Sequence, residues 1–369
     1  MKRILAAFLC ACLLVLPAAA VTGAPETEAG SAVLMEKETG AVLFEQNAHD
    51  KLEPASVTKV MTLLLVLEAI DDGRLALDDM VTVSAHAASM GGSQVYLKEG
   101  EQMSVAEMIK CVTVVSGNDC AVALAEHLAG SETAFVAQMN QRAQDLGMTN
   151  THFSDPNGLG DENHYASALD MAKLGVACLQ NPTVAEILST RTITLEGRQL
   201  TNHNKLLWQY EGCTGMKTGY TRQAGRTLVS SAERNGQTLV CVTLNDRDDW
   251  NDHKAMLDYG FSKVKQVSFD DTALGLQVPV VGGVRDSISV NGAFTAGASV
   301  LAEEESGIEK RIEVPAFLYA PVRKGQTVGK LTYEINGKVL ASVDLLAGED
   351  LPAQIKQKSL WERFLDWFR

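Results

Sequence analysis

The sequence predicts an α+β protein in which one antiparallel sheet with helices is followed by a small β-sandwich-like domain. Strand-like segments stand at both ends of the first 262 residues, and mostly helical patterns lie between them. One sheet would therefore be completed by both ends of this domain. Beyond Phe261 the chain changes to short β segments with glycine turns. The Asn-Gly pairs at 235–236 and 336–337 each predict a hairpin.

The composition indicates a folded, acidic protein. Its 369 residues are 46% apolar and carry a net charge of -14, which suits one large domain and a smaller one. An acidic chain without a basic stripe is not expected to bind nucleic acid. The cysteines after residue 24 are widely spaced and the histidines form no HExxH pattern. We therefore expect no disulfide framework, no metal site and no cofactor.

The first 24 residues have the order of parts found in a secretory signal peptide. Lys2 and Arg3 precede an apolar run over Ile4–Leu16, and Pro17-Ala18-Ala19-Ala20 follows it. The apolar run is shorter than the roughly 20 residues of a membrane span. We therefore expect the mature protein to begin near Val21 and to act outside the cytoplasm.

The mature chain begins with a predicted hairpin and then a buried helix. Ala32–Met35 and Ala41–Phe44 flank a glycine-bearing turn. The apolar run Val60–Ile70 predicts a buried helix that ends at Asp71-Asp72-Gly73. Ser56 and Lys59, three residues apart at the start of this helix, would point the same way. They form a nucleophile beside a candidate base, provided that burial or a second cation lowers the lysine pKa.

The same Ser-Xaa-Xaa-Lys spacing recurs at Ser262 and Lys265, where we interpret it as solvated surface. From Gly73 to about Ser131 the pattern is mainly helical. Ser116-Gly117-Asn118-Asp119 separates two apolar helical segments and is expected to form an exposed loop. The predicted helices are Val105–Val115, Ala121–Ala129, Ala134–Leu146, Ser167–Leu179 and Asp252–Tyr259. The later predicted strands are Arg191–Leu195, Thr227–Glu233, Thr238–Asn245, Leu276–Val281, Ser287–Val290, Glu313–Phe317, Thr327–Glu334 and Lys338–Leu345.

The end of the chain, Ser359–Arg369, predicts a helix that lies in a membrane interface. Its apolar residues share one side of a helix, and they are Leu360, Trp361, Phe364, Leu365, Trp367 and Phe368. This helix is too short to span a bilayer, and docking on the β domain is the alternative. The predicted division is a signal peptide at 1–24, a catalytic domain at 25–262, a β domain at 263–350 and the tail at 351–369.

Two further motifs strengthen the Ser56/Lys59 pair. Ser116-Gly117-Asn118 follows it, and Lys217-Thr218-Gly219 stands at the front of a β segment. All three motifs in this order, each in its expected context, are typical of the penicillin-recognising serine enzymes.

The chain resembles the low-molecular-mass penicillin-binding proteins that act as D-alanyl-D-alanine carboxypeptidases. The resemblance covers the whole mature chain, including Ala320–Gly325 in the small β domain. Gly117, where the commonest β-lactamases have aspartate, is like the carboxypeptidases. The matching segments are Pro54–Thr62, Gly92–Gln94, Ser116–Asp119, Met139-Asn140, Asp155–Leu159 and Gly215–Thr221.

The resemblance implies removal of the terminal D-alanine from the peptidoglycan stem peptide, at the outer face of the membrane or in the cell wall. Ser56 would form the acyl-enzyme, which β-lactam antibiotics also form as covalent inhibitors. Lys59 would be its general base, and Ser116 would relay a proton to the departing nitrogen. The backbone N–H groups of Ser56 and Tyr220 would form the oxyanion hole.

The remaining implied residues bind the substrate. Asn118 would orient Lys59 and the substrate amide, and Lys217 would add positive potential. Thr218 would donate a hydrogen bond to the terminal carboxylate, and the adjacent Gly219 is also expected to lie at the substrate-binding edge. Some relatives have an arginine where this chain has His203, so the way in which the chain holds that carboxylate stays open.

Other functions use parts of the same pattern. A D,D-endopeptidase would need the same residues, whereas a β-lactamase would need an additional water-activating carboxylate, for which no Glu-Xaa-Xaa-Leu-Asn segment is present. A Ser-His-Asp triad with His203 would require a Gly-Xaa-Ser-Xaa-Gly elbow, which does not surround Ser56. A non-catalytic wall-binding module would have lost a motif residue, and none is lost.

Overall fold

The computed structural model of the protein describes residues 23–195 and 197–354. The predicted signal peptide, apart from its last two residues, and the predicted membrane-interface helix lie outside the described residues. The helices are α1 (Lys59–Asp71), α2 (Ala85–Ala88), α3 (Val105–Val115), α4 (Asn118–Ala129), α5 (Glu132–Asp145), α6 (Ala168–Gln180), α7 (Pro182–Leu188), α8 (Leu206–Gln209) and α9 (Asp249–Lys263).

The strands fall into a first group before residue 247 and a second group after residue 263. The first group is β1 (Ser31–Glu36), β2 (Val42–Gln46), β3 (Met80–Thr82), β4 (Gln102–Ser104), β5 (Thr192–Leu195), β6 (Arg198–Thr201), β7 (Cys213–Thr221), β8 (Gly225–Arg234) and β9 (Gln237–Asp246). The second group is β10 (Val264–Phe269), β11 (Leu276–Val281), β12 (Ser287–Gly292), β13 (Ala296–Leu301), β14 (Glu309–Glu313), β15 (Leu318–Tyr319), β16 (Thr327–Ile335) and β17 (Lys338–Ala347).

The main sheet joins β1 and β2 with β7, β8 and β9, so strands from the two sides of the helical region complete one sheet, as predicted. Its order is β2-β1-β9-β8-β7, and every neighbouring pair is antiparallel. Asn235 and Gly236, between β8 and β9, both have positive φ angles, which is the backbone of a tight hairpin turn. β7 occupies one edge of this sheet, so its outer side can face another element or a ligand.

Helix α1 is buried on almost its whole circumference, as its uninterrupted apolar sequence predicts. It contacts α3, α4, α5 and α6, and it shares one hydrophobic core with the main sheet. The first residue of this helix, Lys59, is 0% exposed. The core therefore takes a lysine amine out of water at the start of the helix.

The prediction of mainly helical structure from Gly73 onward is wrong for residues 76–104. Strands β3 and β4 pair there, and α2 makes little more than one turn. The physical reason is visible at Val81 and Val83, which are buried while Met80 and Thr82 are exposed. This is the two-residue alternation of a strand that buries one face.

The strands after residue 263 form a six-stranded sheet in the order β14-β16-β17-β12-β11-β15 and a pair of β10 with β13. The predicted strand over Glu313–Phe317 is wrong, because β14 ends at Glu313, two residues before Pro315, which has no N–H for a sheet. Strands β10 and β13 were not predicted. Leu351 packs in the hydrophobic core formed by these strands. No helix within 23–195 or 197–354 has the length and apolar character needed to cross a membrane.

Candidate active site

Ser56 lies in a short 3-10 turn, Ala55–Thr58, that leads directly into α1. Lys59 Nζ is 2.9 Å from Ser56 Oγ and donates a 2.6 Å hydrogen bond to the carbonyl oxygen of Asn157. The spacing that predicted a shared direction for these two side chains is thus realised as direct contact.

The environment of Lys59 favours its neutral amine. Burial lowers the pKa of Lys59 well below its usual value, and the charge of Lys217 lowers it further. Lys217 is also buried, and burial lowers its pKa to about 7. A neutral amine beside a serine hydroxyl can accept the hydroxyl proton.

The loop at residues 155–158 packs against the Ser56 turn. Asp155 Oδ1 accepts hydrogen bonds from the N–H groups of Asn157 and Gly158, at 2.8 and 2.5 Å. Gly158 has a φ of +88°, and a Cβ atom there would lie 1.9 Å from the carbonyl oxygen of Ala55. Only glycine allows this approach. The loop therefore brings the Asn157 carbonyl to Lys59.

His164 is a further support for this turn that the sequence did not reveal. Its Nδ1 accepts a hydrogen bond from the backbone N–H of Ser154 at 3.0 Å, so its proton lies on Nε2. Nε2 is 2.7 Å from Thr58 Oγ1 and can donate to it. The Asp-Pro-Asn-Gly loop nearby was the only sequence signal for this contact. His164 is 106 residues from Thr58, and no local sequence pattern links residues so far apart.

The segment from Ser116 to Asp119 is buried, so the prediction of an exposed loop is wrong. Ser116 has a left-handed backbone, with φ of 62°, at the end of α3, and Asn118 begins α4. Asp119 Oδ2 accepts hydrogen bonds from the N–H groups of Val95 and Leu97, which fixes the segment against its neighbour. Only two residues connect α3 and α4, and these hydrogen bonds hold the connection inside the protein.

Two polar atoms of this segment have no partner within the described part of the chain. They are Ser116 Oγ and Asn118 Oδ1. Asn118 Nδ2 donates to the carbonyl oxygen of Gly91 at 2.6 Å, and no bond from Asn118 to Lys59 is seen. Buried polar groups without partners are costly. Ser116 lines the cleft in front of Ser56, so a ligand there could satisfy its hydroxyl.

Strand β7 passes directly beside the Ser56 turn. A Cβ atom on Gly219 would lie 2.9 Å from the Ser56 nitrogen and 2.3 Å from Thr227 Oγ1. Thr227 Oγ1 in turn donates to the carbonyl oxygen of Pro54 at 2.9 Å. The absence of a side chain at Gly219 therefore lets the sheet edge and the nucleophile turn meet, and Tyr220 follows on the exposed rim.

The candidate site is a cleft of about 790 Å³. The residues that line it are Ser56, Ser93, Ser116, Thr201, Asn202, His203, Lys205, Trp208, Thr218, Gly219, Tyr220, Arg226, Asp249 and Trp250. Burial and the nearby Lys217 lower the pKa of His203. Ser56 Oγ bonds to Lys59 and to no histidine within the described residues, so the geometry favours lysine over His203 as the base.

Comparisons with known proteins agree with this geometry. The family model of D-alanyl-D-alanine carboxypeptidase matches residues 18–248, and that of the penicillin-binding protein 5 C-terminal domain matches residues 261–353. The chain is 38% identical to the D-alanyl-D-alanine carboxypeptidase DacF of Bacillus subtilis, over 88% of this chain and 86% of that protein. It is 35% identical to DacC of Escherichia coli, over 94% and 90% of the two chains.

Solved structures show the same likeness. The chain superposes on penicillin-binding protein 5 of Haemophilus influenzae with a TM-score of 0.68 and 34% identity, covering 89% of this chain and 99% of that one. A second match, to penicillin-binding protein 6B of Escherichia coli, has a TM-score of 0.67 and 30% identity over 87% and 96% of the two chains. The chain therefore belongs to the D-alanyl-D-alanine carboxypeptidase family of low-molecular-mass penicillin-binding proteins.

Proposed function

We propose that this protein is a serine D-alanyl-D-alanine carboxypeptidase that removes the terminal D-alanine from peptidoglycan stem peptides and is acylated by β-lactams. The observation that carries the proposal is the 2.9 Å contact between the buried amine of Lys59 and Ser56 Oγ, in a cleft also lined by Ser116 and Thr218. This arrangement supplies a nucleophile, a base, a candidate proton relay and a polar binding edge.

Acylation begins with the neutral amine of Lys59. It takes the proton of the Ser56 hydroxyl as Ser56 Oγ forms a bond to the carbonyl carbon between the two D-alanines. The carbonyl oxygen becomes an oxyanion, and the backbone N–H groups of Ser56 and Tyr220 are proposed to stabilise it. The close approach of Gly219 to the Ser56 nitrogen supports this pairing of turn and strand.

The leaving group departs as free D-alanine. The carbon–nitrogen bond breaks, and the proton held by Lys59 passes through the Ser116 hydroxyl to the departing nitrogen. Water then attacks the ester, gives one proton to Lys59, and the carbon–oxygen bond to Ser56 breaks. The proton returns from Lys59 to Ser56 Oγ, which restores the enzyme.

The remaining substrate contacts are proposed from the positions of the side chains. Lys217 is buried on β7 and donates to the carbonyl oxygen of Thr218 at 2.9 Å. Its charge favours an anionic ligand, and Thr218 can donate its hydroxyl to a terminal carboxylate. Asn118, at the start of α4, is proposed to bind the substrate amide. A free carboxylate at this point favours cleavage at the end of a peptide.

The test is mass spectrometry of two substrates incubated with the purified protein. One is a stem peptide ending in Lys-D-Ala-D-Ala, and the other is a D,D-cross-linked peptide dimer. We expect loss of one alanine from the first and little cleavage of the second, because the site binds a free carboxylate. Cleavage of the dimer alone would favour an endopeptidase function. Cleavage of neither substrate would favour a non-catalytic wall-binding function.

We further propose that residues 1–24 direct secretion, so that the enzyme acts at the outer face of the membrane or in the cell wall. The division into domains at 25–262 and 263–350 is proposed as well. One family match ends at residue 248 and the other begins at residue 261, which supports a domain boundary in this region.

The tail after residue 350 is proposed to bind the membrane surface. A chain truncated after Gln354 keeps the contact between Gly283 and Ala353, so it should keep peptidase activity and leave the membrane fraction. Fractionation followed by immunoblotting measures this. A full-length variant with Trp361→Ser and Trp367→Ser should also be lost from the membrane fraction. Truncated protein that stays membrane-bound would disprove the role of the tail.

A further inference from the structure

The cleft that contains Ser56 is also lined by Arg226 on β8. Arg226 lies directly opposite Tyr220 in the antiparallel pairing of β7 and β8, and Leu228 lies opposite Thr218. Residues opposite each other share a face of the sheet, as do residues two apart on one strand. Arg226 and Thr218 are thus diagonal neighbours on one face, about 7–8 Å apart at their backbones. Both line the cleft.

The guanidinium of Arg226 is fixed in place. Its Nη2 donates to both carboxylate oxygens of Asp249, at 2.6 and 2.9 Å. Asp249 is 3% exposed at the start of α9, whereas Arg226 is 41% exposed. The ring of Trp250 lies 5.2 Å from the guanidinium carbon. A buried carboxylate and an aromatic ring therefore hold an arginine whose outer part faces the cleft.

The hydrogen-bonding capacity of this arginine is only partly used. A guanidinium has five N–H donors in a planar fork, and Nη2 supplies both bonds to Asp249. Nε is buried and has no partner among the described residues. Nη1 has no hydrogen-bond partner among the described residues, so its two N–H groups can donate charge-assisted hydrogen bonds to a ligand carboxylate.

The other cations near the cleft are less suited to hold an anion. Lys217 is buried and already donates to the Thr218 carbonyl. Burial lowers the pKa of His203, so its ring is mainly neutral at pH 7. Lys205 is exposed, with its amine 6.0 Å from the Trp250 ring. Arg226 is positioned and permanently charged.

We propose that Arg226, positioned by Asp249, binds the terminal carboxylate of the substrate together with Thr218. This inference rests on the proposed carboxypeptidase function and names the residue that gives preference for a free C-terminus. Arg226 is then a specificity residue in contact with the substrate, and Asp249 is a positioning residue.

The test compares two peptides that differ only at the C-terminus. One ends in Lys-D-Ala-D-Ala with a free carboxylate, and the other carries a C-terminal amide. Release of D-alanine or D-alaninamide gives kcat/KM for each. In Arg226→Gln we expect a fall of about 10- to 100-fold for the acid, the range for loss of a charged hydrogen bond. The amide should be cleaved at an unchanged rate, which also shows that the variant is folded.

The matched control is Arg222→Gln, an exposed arginine in the turn between β7 and β8. It should leave both rates unchanged. Asp249→Asn should lower the acid rate less than Arg226→Gln does, because the arginine keeps its charge and loses its fixed orientation.

Three results would overturn the proposal. The first is an acid-to-amide preference that Arg226→Gln does not change. The second is an equal loss on both peptides, which would indicate a structural role. The third is a loss of preference in Lys205→Gln instead. Failure of the proposed function itself would look different, because the unaltered protein would then release neither D-alanine from the acid nor D-alaninamide from the amide.

Discussion

Replacing Ser56 with alanine is expected to abolish release of D-alanine and covalent labelling by penicillin. The loss should be at least about 10³-fold, the scale seen when a serine nucleophile is removed. Without Oγ no acyl-enzyme can form, although the cleft keeps its shape because Ser56 Oγ makes one described contact, to Lys59. Intact-protein mass spectrometry after incubation with benzylpenicillin measures the adduct, and the peptide assay measures turnover.

The chain contains its own control for this experiment. Ser262 and Lys265 repeat the Ser-Xaa-Xaa-Lys spacing. However, Ser262 is an exposed residue near the end of α9, and Lys265 forms an ion pair with Glu305. Ser262→Ala should therefore retain labelling and turnover. A penicillin adduct on the Ser56→Ala protein would assign the nucleophile to another residue and contradict the proposal.

Replacing Lys59 with methionine is expected to slow acylation of Ser56 by about 10²- to 10⁴-fold, the usual contribution of a general base. Methionine fits a buried apolar position but cannot accept a proton. The rate of labelling by a fluorescent penicillin measures the effect, and Lys265→Met is the matched control. Acylation at a rate within a few-fold of the unaltered protein would exclude Lys59 as the base.

The pH dependence of acylation follows from the same residue. Burial and Lys217 lower the pKa of Lys59, so its neutral form persists to a lower pH than that of an ordinary lysine. As the pH falls through this lowered pKa, the amine becomes protonated, so acylation should decline at a lower pH than it would with an ordinary lysine as the base. Lys59→Met should remove this acidic limb from the rate profile. The pH profile therefore distinguishes a Lys59 that accepts a proton from a Lys59 that only stabilises the fold.

Much of the fold could be predicted because its signals are local. The apolar run of α1, the hairpin at Asn235-Gly236 and the change to β segments after Phe261 depend on neighbouring residues. The three motifs could likewise be recognised by their order and spacing. The errors at residues 76–104 and at Glu313–Phe317 arose where short elements give weak periodic patterns and where proline ends a strand early.

The sequence by itself determined the longer helices, the strands of the main sheet, the family, and the spacing that brings Ser56 next to Lys59. The tertiary structure alone decided that Lys59 is fully buried, that Asn157 accepts its hydrogen bond from 98 residues away, and that Asp249 holds Arg226 in the same cleft. The reason is physical. Helical spacing is a property of neighbouring residues, whereas desolvation and charge positioning depend on which distant segments pack around a group.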